Sequence, residues 1–165
     1  MAVIDTREQA PLNLAPLRTV RGTLETGDYS ILGLEHIVAV ERKSLSDLVA
    51  CVGRERERFE RELQRLLAYP VRAMVVEAFW ADLEGGAWRG EVRPAAVTGS
   101  VLSWIAAGIP VLLAGDRRRA ALAVRGILWH AARHRLRELL AFANTLRTEE
   151  DDATQLGCPD RSACP

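Results

Sequence analysis

The stretch from Gly27 to Asp47, Gly-Asp-Tyr-Ser-Ile-Leu-Gly-Leu-Glu-His-Ile-Val-Ala-Val-Glu-Arg-Lys-Ser-Leu-Ser-Asp, constrains this chain more than any other. Two runs rich in Ile, Val, Leu and Tyr, Asp28 to Leu32 and Ile37 to Lys43, flank Gly33-Leu34-Glu35-His36 and predict an antiparallel hairpin. If the loop is symmetric, Leu32 faces Ile37, Ser30 faces Ala39, and Asp28 faces Glu41. Cβ atoms on such a rung sit roughly 4.5 to 5.5 Å apart, and two carboxylates that close repel unless positive charge lies between them. The two-residue period of a strand puts Lys43 on the Glu41 face and Arg42 on the opposite one. Asp, Glu and Lys thus converge at the end of an otherwise apolar hairpin.

The rest of the chain supplies partners for that hairpin. Ala2 to Asp5 reads as a short strand that ends on an acid and spills Thr6-Arg7-Glu8-Gln9 beyond its C-terminal end. Pro11 and Pro16 mark a loop, and Arg18 to Leu24 a further strand. Ser44, with Asp47 three residues on, forms a capping-box pattern that starts a helix running to about Val52, where Gly53 breaks it. Arg54 to Ala68 places Phe59, Leu63, Leu66 and Leu67 at helical spacing. Val71 to Glu77 reads as a buried strand with an acid at its far end, Trp80 to Glu84 as a helical turn, and Gly85 to Gly90 as a loop. Pro94 opens a helix to about Ala107 that Gly108 ends, and Pro110 to Leu113 is a short strand. Asp116 caps a long helix from Arg117, with an apolar stripe through Val124, Ile127, Leu128, Ala131, Leu136, Leu139 and Leu140. From Thr148 the chain turns acidic and loses periodicity, so residues 148–165 are expected to form a disordered tail on a single domain over 1–147. Strands that come first and then alternate with helices predict an α/β protein with a mixed central sheet and helices on both faces.

Composition removes several function classes. The 165 residues carry 22 Lys plus Arg against 22 Asp plus Glu, so no global field draws the chain to nucleic acid or to a membrane surface, and any such binding is local. No apolar run is long enough to span a bilayer, and the first strand follows the N-terminus too closely for a signal peptide, so a cytoplasmic protein is expected. The three cysteines have neither disulfide-framework nor zinc-site spacing.

Clustered carboxylates beside a lysine suit a divalent cation with hard oxygen ligands. Magnesium favours one or two protein carboxylates and takes phosphate oxygens and waters for the rest. Phosphodiester hydrolysis is the reaction class that uses this set, with Asp28 and Glu41 as ligands and Lys43 to orient water or neutralise phosphate charge. Asp5 joins the cluster if the first strand pairs beside the hairpin, and Glu8 would then reach toward a second cation.

Gly27-Asp28, Glu41-Arg42-Lys43 and Asp47 together resemble the Gly-Asp, Glu-Arg-Lys-x-x-x-Asp signature of the XPF/Mus-type structure-specific endonuclease family. Val3 to Glu8 is similar to that family's opening strand, and Gly53-Arg54 and Ile109-Pro110-Val111 extend the likeness over roughly residues 2 to 140. The resemblance implies a restriction-endonuclease-like fold and a magnesium- or manganese-dependent DNA endonuclease acting on branched, flapped or forked DNA. It implies catalytic roles for Asp5, Asp28, Glu41 and Lys43, metal ligation by Asp5, Asp28 and Glu41, support from Arg42, Asp47 and Glu8, and DNA contacts at Arg7, Arg54 and Arg89. The tandem helix-hairpin-helix module common in the family has no counterpart here. DNA affinity is then expected from the chain's own surface, from a homodimer or from a heteromeric partner. A non-catalytic DNA-binding or scaffold subunit is the competing reading.

Other charged and aromatic residues carry plainer readings. Asp47 is accounted for equally by the capping box, and Arg42 by an ion pair under the sheet. Arg117, Arg118 and Arg119 sit in a first helical turn, where the dipole disfavours cations, which hints at phosphate contact. Trp88 and Arg89 lie in a Gly-rich loop that either grips single-stranded DNA or is simply mobile. His130 and His134 have the spacing of a metal pair but lack a third ligand, so they read as helix residues.

Overall fold

The computed structural model describes residues 1–156, with side chains described through residue 147. Its mixed sheet contains β1 (Ala2–Asp5), β2 (Thr19–Gly22), β3 (Tyr29–Ile31), β4 (Val38–Ser44), β5 (Val71–Glu77) and β6 (Val111–Leu113), in the order β2-β1-β3-β4-β5-β6. Strand β3 runs antiparallel to both β1 and β4, and the β1–β2, β4–β5 and β5–β6 neighbours are parallel. The helices are α1 (Leu45–Val52), α2 (Arg56–Leu67), α3 (Trp80–Gly85), α4 (Pro94–Ala106) and α5 (Arg117–Leu156). This is the expected α/β architecture. The chain divides into a compact unit, Met1–Trp129, and a second that begins at His130.

The hairpin has the register its loop length dictates. Tyr29 pairs with Val40, which puts Asp28 across from Glu41 one rung further on. On the other side of β3, Ile4 pairs with Tyr29, and the Asp5 N–H donates to the Asp28 carbonyl at 2.9 Å. Glu41 in turn pairs with Met74 of β5. Asp5, Asp28 and Glu41 therefore occupy one row across three strands and share one face of the sheet.

Strand parity sorts the core into two halves. Ala39, Met74 and Val76 face a cluster with Leu48 and Cys51 of α1, Phe59, Leu63 and Leu66 of α2, and Val97 and Val101 of α4. The apolar positions of α1 and α2 fall on one side of each helix, so burying them against the sheet leaves their charged residues in water. The alternate residues Val38, Val40, Ala73 and Val75 are buried on the other face. Leu12 and Leu14 of the β1–β2 connection, with Ala120, Val124 and Leu128 of α5, are buried as well. The Arg117 guanidinium donates to the Ala10 and Pro11 carbonyls at 2.7 and 2.9 Å, tying α5 to that connection.

Helix α1 starts where β4 stops because Ser44 and Asp47 form the expected capping box: the Asp47 N–H donates to Ser44 Oγ at 3.2 Å, and the Ser44 N–H to Asp47 Oδ2 at 3.3 Å. Asp116 accepts from the Arg119 N–H at 2.8 Å and caps α5. Two features depart from the periodicity. The compact unit ends at Trp129 rather than near residue 147, and Leu136, Leu139 and Leu140 are each more than half exposed, not buried. Helix α5 also runs past Thr148 to Leu156, while 157–165 of the expected tail lie outside the described residues.

Gly27 sets the approach to the acid row. Its φ is +80°, and a Cβ there would sit 3.1 to 3.3 Å from the Val40 backbone, so both the left-handed conformation and the close strand crossing require glycine. Gly27→Ala is expected to lower unfolding free energy by roughly 1–3 kcal/mol in urea titrations. An unchanged midpoint would show that this crossing relaxes without strain.

Candidate active site

Asp28, just before β3, and Glu41, in the middle of β4, face each other, and different contacts hold them. Asp28 Oδ2 accepts the Arg42 N–H at 2.8 Å, so the backbone of β4 fixes the carboxylate of β3. Glu41 is 2% exposed; its Oε1 accepts from Lys43 Nζ, while its Oε2 is buried with no hydrogen-bond partner. Lys43 lies on the same face of β4, and its ammonium rests 5.0 Å from the centre of the Phe59 ring, a cation–π contact from α2. An apolar floor under charged groups keeps water from solvating them from below.

Electrostatics record the crowding. Burial pushes the Asp28 carboxyl up to about 6; the Arg42 N–H and Lys43 pull against the rise, and Glu8 and Glu62 add to it. Burial raises Glu41 as well, reinforced by the Asp28 charge and opposed by Lys43. Lys43 keeps its proton: burial alone would lower it, but the adjoining Glu41 carboxylate outweighs that and raises it. Proton uptake at this spot therefore falls on the acids rather than on the lysine.

Asp5 stands on the same row but is committed elsewhere. Its Oδ1 accepts from the Arg7 N–H at 2.8 Å and from Arg7 Nε at 2.7 Å, and its Oδ2 accepts from the Leu24 N–H at 2.7 Å and from Arg7 NH2 at 3.2 Å. Burial would raise Asp5, but the Arg7 guanidinium and the two backbone donors hold it below the ordinary carboxylate range. Ligation of a cation by Asp5 requires giving up some of these bonds. Arg7, expected at DNA, also donates to the Leu24 carbonyl at 2.7 Å and braces the turn beside the row, although its side chain is 68% exposed.

The expected supporting residues divide between the two faces. Arg42 lies on the face opposite Glu41 and pairs with Glu77 of β5 at 2.7 Å, with Glu8 at 3.7 Å. Glu8 accepts the Ala10 N–H at 2.7 Å, and Arg117 stands 3.6 Å from Glu77. Arg117 is thus used within the fold. So is Arg119, which is 3.3 Å from Asp116 and lies over the Phe79 ring. Asp47 serves the α1 cap. Arg54 and Arg89 line a groove beside α1, with Arg54 82% exposed.

Glu62 and Phe59 of α2 were not singled out from sequence as site residues. Phe59 looks like any core aromatic until its ring is found against Lys43. Glu62, one helical turn further on, raises Asp28, Glu41 and Lys43 through its charge. The available signal was spacing: residues three apart on a helix share a side, so an acid one turn beyond an aromatic directed at the site is itself near it.

The donor set fits a hard divalent cation of the magnesium type. Among the described residues no cluster of three or more His, Cys, Asp or Glu side chains is drawn together for a metal, and His130 with His134 forms no such site. The unpartnered Glu41 Oε2 and the facing Asp28 carboxylate supply the one or two protein oxygens that magnesium prefers.

A six-stranded mixed sheet flanked by helices, with an Asp–Glu–Lys group on its central hairpin, defines a mixed α/β fold. XPF from Aeropyrum pernix superposes with a TM-score of 0.63 at 20% identity, over 79% of this chain and 60% of that one. XPF from Aeropyrum pernix in complex with DNA gives 0.64 at 22% identity, over 80% of this chain and 64% of that one. The chain thus spans less than two thirds of the length of either. No curated protein matches the sequence. The ERCC4 domain matches residues 4–123, and the chain belongs to the ERCC4 domain family.

The raised acids make metal-free stability depend on pH. A carboxyl whose folded pKa is raised holds its proton more tightly when folded, so its contribution is fully present below the unfolded value near 3.8 and is lost as pH rises through about 6 for Asp28. In EDTA, the melting temperature of the native chain should fall more steeply between about pH 4 and pH 7 than that of Asp28→Asn. Parallel curves would mean that Asp28 is solvated like a surface acid.

Proposed function

We propose that this chain is a magnesium- or manganese-dependent DNA endonuclease that hydrolyses phosphodiester bonds in branched, flapped or forked DNA. The observation that carries the proposal is the shared rung of Asp28 and Glu41, with Lys43 on the same face and Glu41 Oε2 lacking a partner, in a chain of the ERCC4 domain family. A relative in fold has been seen with DNA, which supports the substrate class.

In this reading Asp28 and Glu41 hold the cation, and the Arg42 N–H keeps the Asp28 carboxylate turned toward it. When bound, the cation supplies Lewis-acid stabilisation of phosphate charge and a lower pKa for the attacking water. Lys43, kept protonated by Glu41, donates to the phosphate oxygen on which charge accumulates as the water adds and the ester bond breaks. Phe59 and the α2 face exclude water from the lysine side of the site and so strengthen that interaction. Asp5, through Arg7 and Leu24, anchors the end of β1 and can reach the cation only by releasing those bonds. With a formal net charge of +0, DNA contact rests on local arginines, Arg54 and Arg89 first, and on a homodimer or a heteromeric partner for further affinity. No helix among the described residues is long and apolar enough to cross a membrane, in keeping with a protein that works beside DNA.

The test is a panel of single-stranded, duplex, flapped, forked and bubble DNA incubated with magnesium or manganese. The native chain should nick the branched forms. Asp28→Asn and Lys43→Ala should fold and lose about 10²- to 10³-fold in rate. Folding is retained in Lys43→Ala because Glu41, already raised, takes up a proton when its partner is removed. Variants as active as the native chain would overturn the site assignment. DNA binding without cleavage under any metal would instead support a non-catalytic subunit. Millimolar magnesium should also raise the melting temperature of the native chain, through binding to the folded state alone, and raise that of Asp28→Asn less.

A further inference from the structure

We infer that the groove between α1 and the Gly85–Val92 loop is a subsite for an unpaired nucleotide of the DNA substrate, a reading that rests on the nuclease function proposed above. The groove has a volume of about 630 Å³. Its α1 wall includes Leu45 and Val49, one turn apart on a single side of the helix, and Trp88 and Val92 of the loop form the wall opposite. Arg54 and Arg89 stand at its margin, and no carboxylate lines it.

The groove is built rather than incidental. The Trp88 indole N–H donates to the Val92 carbonyl at 2.9 Å, and the ring packs against the core cluster, so its orientation is set. Val92 sits against Gly53 so closely that a Cβ there would lie 2.9 Å from its methyl group, which seats the loop on the end of α1. Among the described residues Arg54 pairs with Glu55 at 3.6 Å, and at 82% exposed its guanidinium is open to phosphate. An apolar slot with a fixed aromatic ring and two flanking arginines is the arrangement that takes one base by stacking and its phosphates by charge.

Position ties the slot to the reaction. Helix α1 begins two residues after Lys43, and the lining residues Leu45 to Ala50 span about 8 Å of its axis at 1.5 Å per residue. At about 3.4 Å per nucleotide along a strand, the groove is roughly two nucleotides long, and it begins beside the end of β4 that carries Lys43. A base can enter such a slot only where it is free of its complement, and a branch point supplies that beside the bond to be cut. Preference for branched over continuous duplex DNA then follows from the surface of this domain itself.

The experiment measures equilibrium binding by fluorescence anisotropy in EDTA, where no cleavage occurs. The probes are a DNA fork, the same fork with abasic sites at the first unpaired nucleotides, and a duplex of equal length. The native chain should bind the fork about tenfold or more tightly than the abasic fork, as loss of one stacked base predicts. Trp88→Ala should weaken fork binding by a similar factor and leave abasic-fork and duplex binding unchanged. Arg54→Ala and Arg89→Ala should each reduce the salt dependence by about one phosphate contact on all three probes. If Trp88→Ala fails to fold, Ala87→Trp at the exposed rim fills the groove without adding charge and should give the same selective loss on the fork. Equal losses on all three probes from Trp88→Ala, or equal native affinity for the intact and abasic forks, would overturn the subsite. If the native chain binds and cuts forks while both groove variants behave like it, the subsite falls and the nuclease reading stands; if it binds no DNA at all, both fall.

Discussion

The structure depends on holding two carboxylates across one β-rung. Such a pair is repulsive in any sheet, and here burial removes the water that would screen it. Three local devices make the rung tolerable. Gly27 lets the chain cross close over β4, the Arg42 N–H fixes one carboxylate, and Lys43 meets the other. None of them satisfies Glu41 Oε2, and both acids stay raised. The unsatisfied remainder is what the proposed divalent cation would relieve, so the imbalance that costs stability would also favour its binding.

Strand parity separates the chemistry from its support. Glu41 and Lys43 point toward α1 and α2, while Arg42, between them in sequence, points to the other face. There it meets Glu77, with Glu8 and Arg117 close by. These charges link β4, β5, the end of β1 and the start of α5 beneath the site. A half-buried arrangement of this kind adds little net stability because desolvation offsets attraction, but it specifies where β1 and α5 sit. One tripeptide thus supplies a ligand, an anchor and a cation in consecutive residues.

Much of this was legible before any coordinates, and for a physical reason. Hairpin register follows from loop length and the two-residue period, so the Asp28–Glu41 pairing and the opposed face of Arg42 follow from counting. The Ser44–Asp47 cap, the Val71–Glu77 strand and the Asp116 cap are equally local. What counting could not reach were contacts closed by distant segments. Asp5 falls in the acid row as its strand pairing requires, yet the Leu24 N–H that occupies its carboxylate arrives from beyond β2. Arg117 looked available for phosphate from its place in a first helical turn; its carbonyl partners lie more than a hundred residues earlier. The apolar stripe of α5 is buried at Val124 and Leu128 but more than half exposed at Leu136, Leu139 and Leu140, since periodicity reports that one side of a helix is apolar and not whether anything covers it.

Charge distribution bears on how a chain with no net field would act on the proposed polyanionic substrate. Of its many arginines, two on α2 pair with neighbouring glutamates, Arg56 with Glu60 at 2.9 Å and Arg58 with Glu55. Those at the start of α5 bind backbone and Asp116. Neutralised in this way, most of the surface has little attraction for duplex DNA. The arginines left open at the groove, Arg54 and Arg89, flank an aromatic ring rather than lying on a uniform basic stripe. A long basic stripe would hold any duplex, because phosphate contacts carry no information about strand structure. Two charges around an apolar slot respond instead to whether a base is free to enter. Weak general affinity then becomes a condition for discrimination: the less the rest of the surface holds ordinary duplex, the larger the share of binding that the unpaired nucleotide decides.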